Sequence, residues 1–249
     1  LYVKGKGIRM ANAMVPLKGV GMTQWRAIFF DLDGTLVETA GEIADAVNDT
    51  LTAWHLPAVS QKQVEDWIGH GTKTLLIQAL AYVKGVSVDE IKESAFLSDV
   101  LPTFDHHYQA RCGTRSQLYP HVRETLAHLR EAGVKLAVVT NKEGRYTDTV
   151  LKAQQLDDAF DAVVSGDTFA VKKPNPHAVS ELLTRWHIDS SAALFVGDSS
   201  IDAATARNAG IKVWLLPYGY NMGAPVNACE PDRVIDNFAP LMHGAGFSK

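Results

Sequence analysis

The sequence predicts an α/β protein whose core is a Rossmann-like parallel sheet, with a helical cap domain inserted into it. Three observations carry this prediction. An apolar run ends at Phe30 and is followed by two carboxylates. The pattern then turns helical for about eighty residues. From Pro120 onward, strands and helices alternate, which is typical of a parallel sheet with helices on both faces.

The strands of the core are predicted from short apolar runs with β-branched residues. After the run that ends at Phe30, they are expected at 134–140, 161–165, 192–197 and 211–216. Pro120 suits the first position of the helix that leads this series. Right-handed crossovers would bring the carboxyl ends of all these strands to one edge of the sheet.

The inserted segment is predicted to contain at least four helices. Its first helix has apolar residues along one face, namely Ile43, Val47, Leu51 and Trp54. Two capping boxes, 60–63 and 87–90, indicate further helix starts, and Gly69 and Gly71 interrupt the pattern between them. We expect Pro102 to kink or divide the last helix.

These patterns divide the chain into a core and a cap. We expect residues 22–38 and 118–249 to form the core and residues 39–117 to form the cap, with hinges at 38–41 and 115–119. Residues 1–21 are rich in glycine and lysine. They are predicted to be a leader or a vector-derived segment, in which Leu1–Val3 could still add an edge strand.

Composition excludes several classes of protein. The net charge of −4 and the pI of 6.1 lack the basic excess of a nucleic-acid binder. No apolar run approaches the ~20 residues of a membrane span. The two cysteines, Cys112 and Cys229, fit neither a disulfide framework nor a zinc site, so we expect a cytoplasmic protein. The sequence leaves the oligomeric state open.

The carboxylates after the first strand are the most informative residues. Asp31 and Asp33 are two residues apart in an extended segment, so they would face the same side. Two like charges there repel unless a cation or a shared proton offsets them, and a divalent metal ion is the simplest solution. The alternative is a strand that merely ends in an acidic turn.

Three later segments add polar or charged side chains at the same edge, and the first of them suits phosphate oxygens. Thr140 and Asn141 end a strand with a hydroxyl and an amide. Lys173 is held extended by the proline that follows it. Asp198 and Asp202 follow another strand, and Asp202 also suits the first turn of a helix, where the helix dipole favours an acid.

In this order the four segments resemble the motifs of the haloacid dehalogenase-like superfamily of phosphotransferases, over residues 24–241. The segments at 67–71, 140–142, 172–174 and 218–221 resemble the phosphoglycolate phosphatase group within it. One departure is Glu38-Thr39, where relatives more often carry Asp-Ser or Asp-Thr. Both versions keep an acid followed by a hydroxyl.

The resemblance implies a magnesium-dependent phosphatase. Asp31 would be the nucleophile that forms an aspartyl phosphate, and Asp33 the general acid and base. Mg²⁺ would be bound by Asp31, the main-chain carbonyl of Asp33, and Asp198, while Asp202 orders bound waters or Lys173. The phosphoryl oxygens would be bound by Thr140, Asn141 and Lys173.

The substrate is expected to be a small phosphorylated metabolite, with 2-phosphoglycolate as the leading candidate. A mobile cap would exclude water and large substrates. His70, between two glycines at a helix start, is predicted to contact the substrate, whereas the other histidines have no consistent ligand spacing. Alternatives are a phosphomutase, a phosphatase for sugar phosphates, a phosphonoacetaldehyde hydrolase with a cap lysine, a dehalogenase, and a non-catalytic module that only accepts phosphate.

Overall fold

The structure is a computed structural model that describes residues 9–10 and 24–242. The strands are β1 Arg9–Met10, β2 Ala27–Phe30, β3 Val37–Glu38, β4 Gln117–Leu118, β5 Lys135–Val139, β6 Ala162–Val164, β7 Ala193–Gly197, β8 Lys212–Leu215 and β9 Arg233–Val234. The α-helices are α1 Ala40–Ala53, α2 Gln61–Trp67, α3 Thr72–Lys84, α4 Val88–Glu93, α5 Ala95–Arg111, α6 Val122–Glu131, α7 Gly144–Ala153, α8 His177–Trp186 and α9 Ser200–Asn208. Short 3₁₀ helices span Ser190–Ala192, Val226–Cys229 and Ala239–Leu241.

Within the described residues, seven strands form the main sheet in the order β1-β6-β5-β2-β7-β8-β9. All neighbours are parallel except β1 and β6, which pair antiparallel at the edge. Helices cover both faces, so the predicted fold class, a parallel Rossmann-like sheet with flanking helices, is confirmed. The central strand β2 lies between β5 and β7, and its end, Phe30, is level with Val138 and Val196.

The helices on the two faces of the sheet pack against alternate residues of β2. Ile28 and Phe30 belong to the apolar cluster that includes residues of α6 and α7. Ala27 and Phe29 face the other way, into the cluster with residues of α8 and α9. Because both phenylalanines are completely buried, truncating either to alanine would cost about 3–5 kcal/mol of stability.

The segment predicted to be the cap carries helices α1 to α5. Both predicted capping boxes are present, since Ser60 and Ser87 accept from the backbone of Gln63 and Glu90. Pro102 lies inside α5 and does not divide it. The domain bounds at 39 and 117 stay a prediction.

The connections between core and cap form a feature that the sequence analysis did not predict. Strand β3 pairs antiparallel with β4, so that Val37 lies opposite Leu118 and Glu38 lies opposite Gln117. One two-stranded ribbon therefore joins the two ends of the segment predicted to be the cap to the rest of the chain. Strands of two residues are too short to give a periodic pattern.

Two ends of the sheet also differ from expectation. Arg9–Met10 pairs with Ala162 and Val163 at the edge, whereas the edge strand predicted at Leu1–Val3 lies outside the described residues. At the other edge, β9 was not predicted. In the part of the chain that the structure describes, no helix has the length and apolar character needed to cross a membrane.

Candidate active site

Carboxylates gather at the carboxyl edge of the sheet. Asp31 directly follows β2 and Asp198 directly follows β7, and the register of these neighbouring strands places them side by side. Asp202 lies in the first turn of α9, which begins just after Asp198. These three carboxylates are buried, and Asp33 is partly exposed. The predicted meeting of the first and last motifs at one sheet edge is what the structure shows.

Lys173 links two of these carboxylates. Its Nζ lies 2.9 Å from Asp31 Oδ1 and 2.7 Å from Asp202 Oδ1, with all three side chains buried. Burial alone would lower the pKa of this ammonium, but the charges of Asp202 and Asp31 outweigh that effect and raise the pKa. Lys173 is therefore charged at neutral pH and fixes the orientation of Asp31.

Asp202 combines the two functions that the sequence analysis names for it, one at the start of a helix and one beside Lys173. Its Oδ2 accepts hydrogen bonds from the main-chain N–H groups of Asp198 and Ser199, both at 3.1 Å, and from the Ser199 hydroxyl at 2.7 Å. Together with the Ser199 side chain this forms a capping box at the start of α9. The other oxygen, Oδ1, binds Lys173. Asp202 therefore caps the helix and holds Lys173 at the same time.

Asp198 is held by groups from two distant loops. Thr35 Oγ1 donates to Oδ1 at 2.6 Å, and the main-chain N–H of Tyr220 donates to Oδ2 at 2.5 Å. Glycines make this approach possible, because a Cβ at Gly34 would lie 2.4 Å from Oδ2 and a Cβ at Gly219 only 2.3 Å from it. Gly34 also has a φ of +82°, which disfavours any other residue.

The cluster has the composition of a site for a hard divalent cation. Asp31, Asp198 and Asp202 each offer an oxygen within 4.8 Å of the others, and these three could hold a metal ion. Burial raises the pKa of Asp31 to about 6, although Lys173 opposes the shift, and burial also raises the pKa of Asp198. A bound cation would offset the cost of keeping these carboxylates ionised in a buried position.

Asp33 has a partner that the sequence analysis missed. The Nζ of Lys142 lies 2.9 Å from Asp33 Oδ1 and 3.1 Å from Oδ2, and Thr39 Oγ1 donates to Oδ1 at 2.7 Å. Lys142 also donates to the hydroxyl of Tyr108 in the cap. Burial would lower the pKa of Lys142, but the charge of Asp33 and other acidic groups raises it. The sequence does show a lysine directly after Thr140-Asn141, but the sequence analysis uses this segment only for the resemblance to a group within the family.

The two residues predicted to bind phosphate from β5 differ in their surroundings. The side-chain amide of Asn141 donates to the carbonyls of Gly69 at 2.9 Å and Lys173 at 3.1 Å, and its oxygen accepts from the N–H of Lys173 at 2.9 Å. A phosphate contact by Asn141 would therefore have to come from its main chain. Thr140 accepts from the N–H of Lys142 at 3.2 Å, and it lines the cavity.

A cavity lies between this edge of the sheet and the cap. The cap side is lined by apolar or uncharged residues, namely Ile43, Ile68, Gly69, Gly71, Thr72 and Leu75. The side chain of His70 is exposed and is not part of this lining, although both neighbouring glycines are. Its predicted contact with the substrate stays a prediction. Thr72 closes the loop onto the core, because its hydroxyl donates to Glu143 at 2.6 Å.

Comparison with known proteins shows the family to which this chain belongs. The model of the family described as haloacid dehalogenase-like hydrolase matches residues 28–216. The chain belongs to this family. Over 217 residues it is 38% identical to a phosphoglycolate phosphatase of Vibrio vulnificus (strain YJ016), covering 87% of this chain and 94% of that protein.

Two further relatives support the assignment. A phosphoglycolate phosphatase of Haemophilus influenzae (strain 86-028NP) is 38% identical over 220 residues, covering 88% of this chain and 98% of that protein. A crystal structure from Haemophilus somnus 129pt, described as a predicted phosphoglycolate phosphatase, superimposes with a TM-score of 0.82 at 35% identity, covering 90% of this chain and 99% of that one. The chain is therefore an enzyme of the phosphoric monoester hydrolase class.

Proposed function

We propose that this enzyme is a magnesium-dependent phosphatase that hydrolyses small phosphate monoesters through an aspartyl phosphate. The leading substrate is 2-phosphoglycolate, which would give glycolate and phosphate. One observation carries the proposal: the Asp31 carboxylate lies at the cavity, fixed by Lys173, with Asp198 and Asp33 beside it. This arrangement joins a nucleophile, an acid and a set of metal ligands at one point.

The first half of the reaction transfers the phosphoryl group to Asp31. An oxygen of Asp31 bonds to phosphorus while the bond to the ester oxygen breaks. The electron pair of that bond leaves with the ester oxygen, which takes the proton of the Asp33 carboxyl group and departs as an alcohol. Asp33 is then a carboxylate.

The second half returns the enzyme to its starting state. Asp33 takes a proton from a water molecule whose oxygen attacks phosphorus. The bond between phosphorus and Asp31 breaks, and its electron pair restores the Asp31 carboxylate. Free phosphate leaves, and Asp33 is again protonated for the next cycle.

The remaining residues bind and orient the phosphoryl group. Lys173 and Thr140, with the main chain of Asn141, would contact its oxygens at the edge of the sheet. Mg²⁺ would be held by Asp31, the main-chain carbonyl of Asp33, and Asp198, because these three residues line the cavity and Asp202 does not. When bound, it supplies positive charge that stabilises the phosphoryl oxygens in the transition state.

The shape of the cavity supports a small substrate. Ile68, Leu75 and the loop that precedes α3 line the cap side of the cavity, which favours a small substrate over a phosphoprotein or a nucleic acid. The main-chain N–H groups at the start of α3, beside Gly71, could receive the carboxylate of 2-phosphoglycolate. A cytoplasmic location is part of the proposal, whereas the exposed His70 side chain, which lies outside the cavity lining, is not needed as a substrate contact.

An initial-rate panel with Mg²⁺ tests this function. The panel compares 2-phosphoglycolate with sugar phosphates, nucleoside monophosphates, pyrophosphate and p-nitrophenyl phosphate. We expect 2-phosphoglycolate to have the highest kcat/KM. A neutral sugar phosphate that clearly outpaces it would overturn the substrate assignment, and the absence of steady turnover on all of them would overturn the proposal as a whole.

A further inference from the structure

We propose that Lys142 and Tyr108 form a positioning pair that holds the Asp33 carboxyl group at the leaving-group oxygen when the cap is closed. This inference rests on the proposed role of Asp33 as general acid. Lys142 and Tyr108 would touch neither the phosphoryl group nor the metal ion. They act on the reaction only through the orientation of Asp33.

The contacts of Lys142 identify its function. A lysine ammonium has three hydrogens to donate. Nζ of Lys142 lies within hydrogen-bond distance of three acceptors, Asp33 Oδ1 at 2.9 Å, Asp33 Oδ2 at 3.1 Å and the Tyr108 hydroxyl. Its donors are therefore matched by protein groups, and the side chain has no exposed surface. A buried cation with this set of acceptors fixes the carboxyl group that it touches.

The pair crosses the boundary between cap and core. Lys142 lies in the core, in the turn that joins β5 to α7, whereas Tyr108 lies in the last two turns of cap helix α5. Tyr108 is completely buried, and its ring packs against that of Tyr146 in α7 with 4.3 Å between centroids. Movement of the cap away from the core would separate Tyr108 from Lys142. Closure therefore completes the set of contacts around Lys142, which in turn holds Asp33.

Substrates whose leaving groups differ in basicity allow the effect of Lys142 and Tyr108 on acid catalysis to be measured. Departure of an alkoxide requires the proton of Asp33, whereas p-nitrophenolate is stable without it. We would measure kcat/KM for 2-phosphoglycolate, ethyl phosphate and p-nitrophenyl phosphate, because this constant reports the steps up to the first phosphoryl transfer. Ethyl phosphate has a poor leaving group and no carboxylate, so it separates acid catalysis from recognition of the acid.

Two variants and one matched control are used. We expect Lys142→Met to lower kcat/KM for both alkyl phosphates by about 10², and Tyr108→Phe by about 10-fold, with changes below about 3-fold for p-nitrophenyl phosphate. Activity on the aryl substrate also shows that each variant is folded. Tyr146→Phe is the control, because it removes another hydroxyl that joins core to cap, through Asp105, without contacting Asp33 or Lys142.

Any of the other outcomes would contradict the proposed positioning function of Lys142 and Tyr108. Equal losses on all three substrates would mean a general structural role, and a loss confined to 2-phosphoglycolate would make Lys142 a carboxylate-binding residue. Tyr146→Phe with the same pattern as Tyr108→Phe would attribute the effect to cap docking. Asp33→Asn is the reference variant. If its kcat/KM falls equally for alkyl and aryl substrates, Asp33 is not the general acid and the proposed function of Asp33 is wrong. If Asp33→Asn affects only the alkyl phosphates while the Lys142 and Tyr108 variants affect neither class, only the proposed positioning pair is wrong.

Discussion

The two walls of the cavity are built on different principles. On the core side, Asp31, Asp33 and Asp198 each have charged or hydrogen-bonding partners at 2.5–3.1 Å, and most of these partners are buried. On the cap side, the lining consists of apolar side chains and a glycine-containing loop. The core wall therefore fixes charges for the reaction, and the cap wall limits the size of what enters.

This difference has an energetic reason. Charged groups in a low-dielectric site are expensive unless each is paired, so they are retained where their function demands it. The apolar cap wall is not subject to that demand, and its residues can change while the chemistry stays the same. We expect substitutions on the core wall to affect every substrate and substitutions on the cap wall to affect particular ones.

The largest effect is expected at the centre of the core wall. Asp31→Asn keeps the shape of the side chain but removes the nucleophile, so kcat should fall by at least about 10³ for every substrate. The matched control is Asp99→Asn, which changes an exposed aspartate of α5 and should leave kcat unchanged. Steady-state rates of phosphate release give the result. A folded Asp31→Asn enzyme with near-normal turnover would contradict the covalent mechanism.

Removal of the metal ion should act on the same wall. With a chelator we expect activity to fall by at least about 10², and added Mg²⁺ should restore it. Ca²⁺ should inhibit, because it prefers more ligands than Mg²⁺ and would engage the Asp31 carboxylate more fully, which would leave it less free to act as the nucleophile. Full activity in chelator, or equal activity with Ca²⁺, would exclude this metal assignment.

Gly219→Ala tests how closely the core wall is packed. A Cβ there would lie 2.3 Å from Asp198 Oδ2 and 2.4 Å from the carbonyl oxygen of Gly34, so Asp198 must move. We expect the Mg²⁺ concentration for half-maximal activity to rise about 10-fold to 100-fold. Gly210→Ala is the control, since it introduces a side chain at a φ of +68° with nothing within 4 Å of its Cβ. Similar Mg²⁺ dependence for the two variants would show that Asp198 tolerates displacement.

The smallest effect is expected on the cap wall. Because the His70 side chain is exposed and outside the cavity lining, His70→Ala should change KM for 2-phosphoglycolate and for p-nitrophenyl phosphate by less than about 3-fold. Initial rates with both substrates give the two KM values that test this prediction. A KM increase confined to 2-phosphoglycolate would instead support direct binding of the carboxylate by His70, as the sequence suggests.

The sequence predicted the core wall far better than its supports or the cap. Asp31, Asp33 and Asp198 closely follow strands, and Asp202 lies in the first turn of the helix after Asp198, so these residues stand in recognisable local patterns. The contacts of these residues with distant segments are not predicted by a local pattern. Tyr220 is an example, because its N–H binds Asp198 while its hydroxyl accepts from the N–H groups of Thr39 and Ala40.

In the cap, too, local features could be predicted from the sequence and the packing of distant segments could not. Helix starts at Ser60 and Ser87 were found, because a capping box is a local pattern. The helices that face the cavity could not be identified from the sequence, because this depends on how α1 and α3 pack together and lie over the sheet. Tyr108 gave no signal at all, since an aromatic residue in a helix is most often part of an apolar core.

The ribbon of β3 and β4 makes the cap an exchangeable module. Glu38 and Gln117 are neighbours across two paired strands, so a tight turn such as Asn-Gly could join them directly and leave the parallel sheet uninterrupted. Equally, a cap of another size could be grafted between the same two residues without altering the distance that the core must span. Replacing this one contiguous cassette would leave Asp31, Lys173 and Asp198 in place. It would also remove Thr39 and Tyr108, so a new cap has to restore the support of Asp33 as well as set the substrate range.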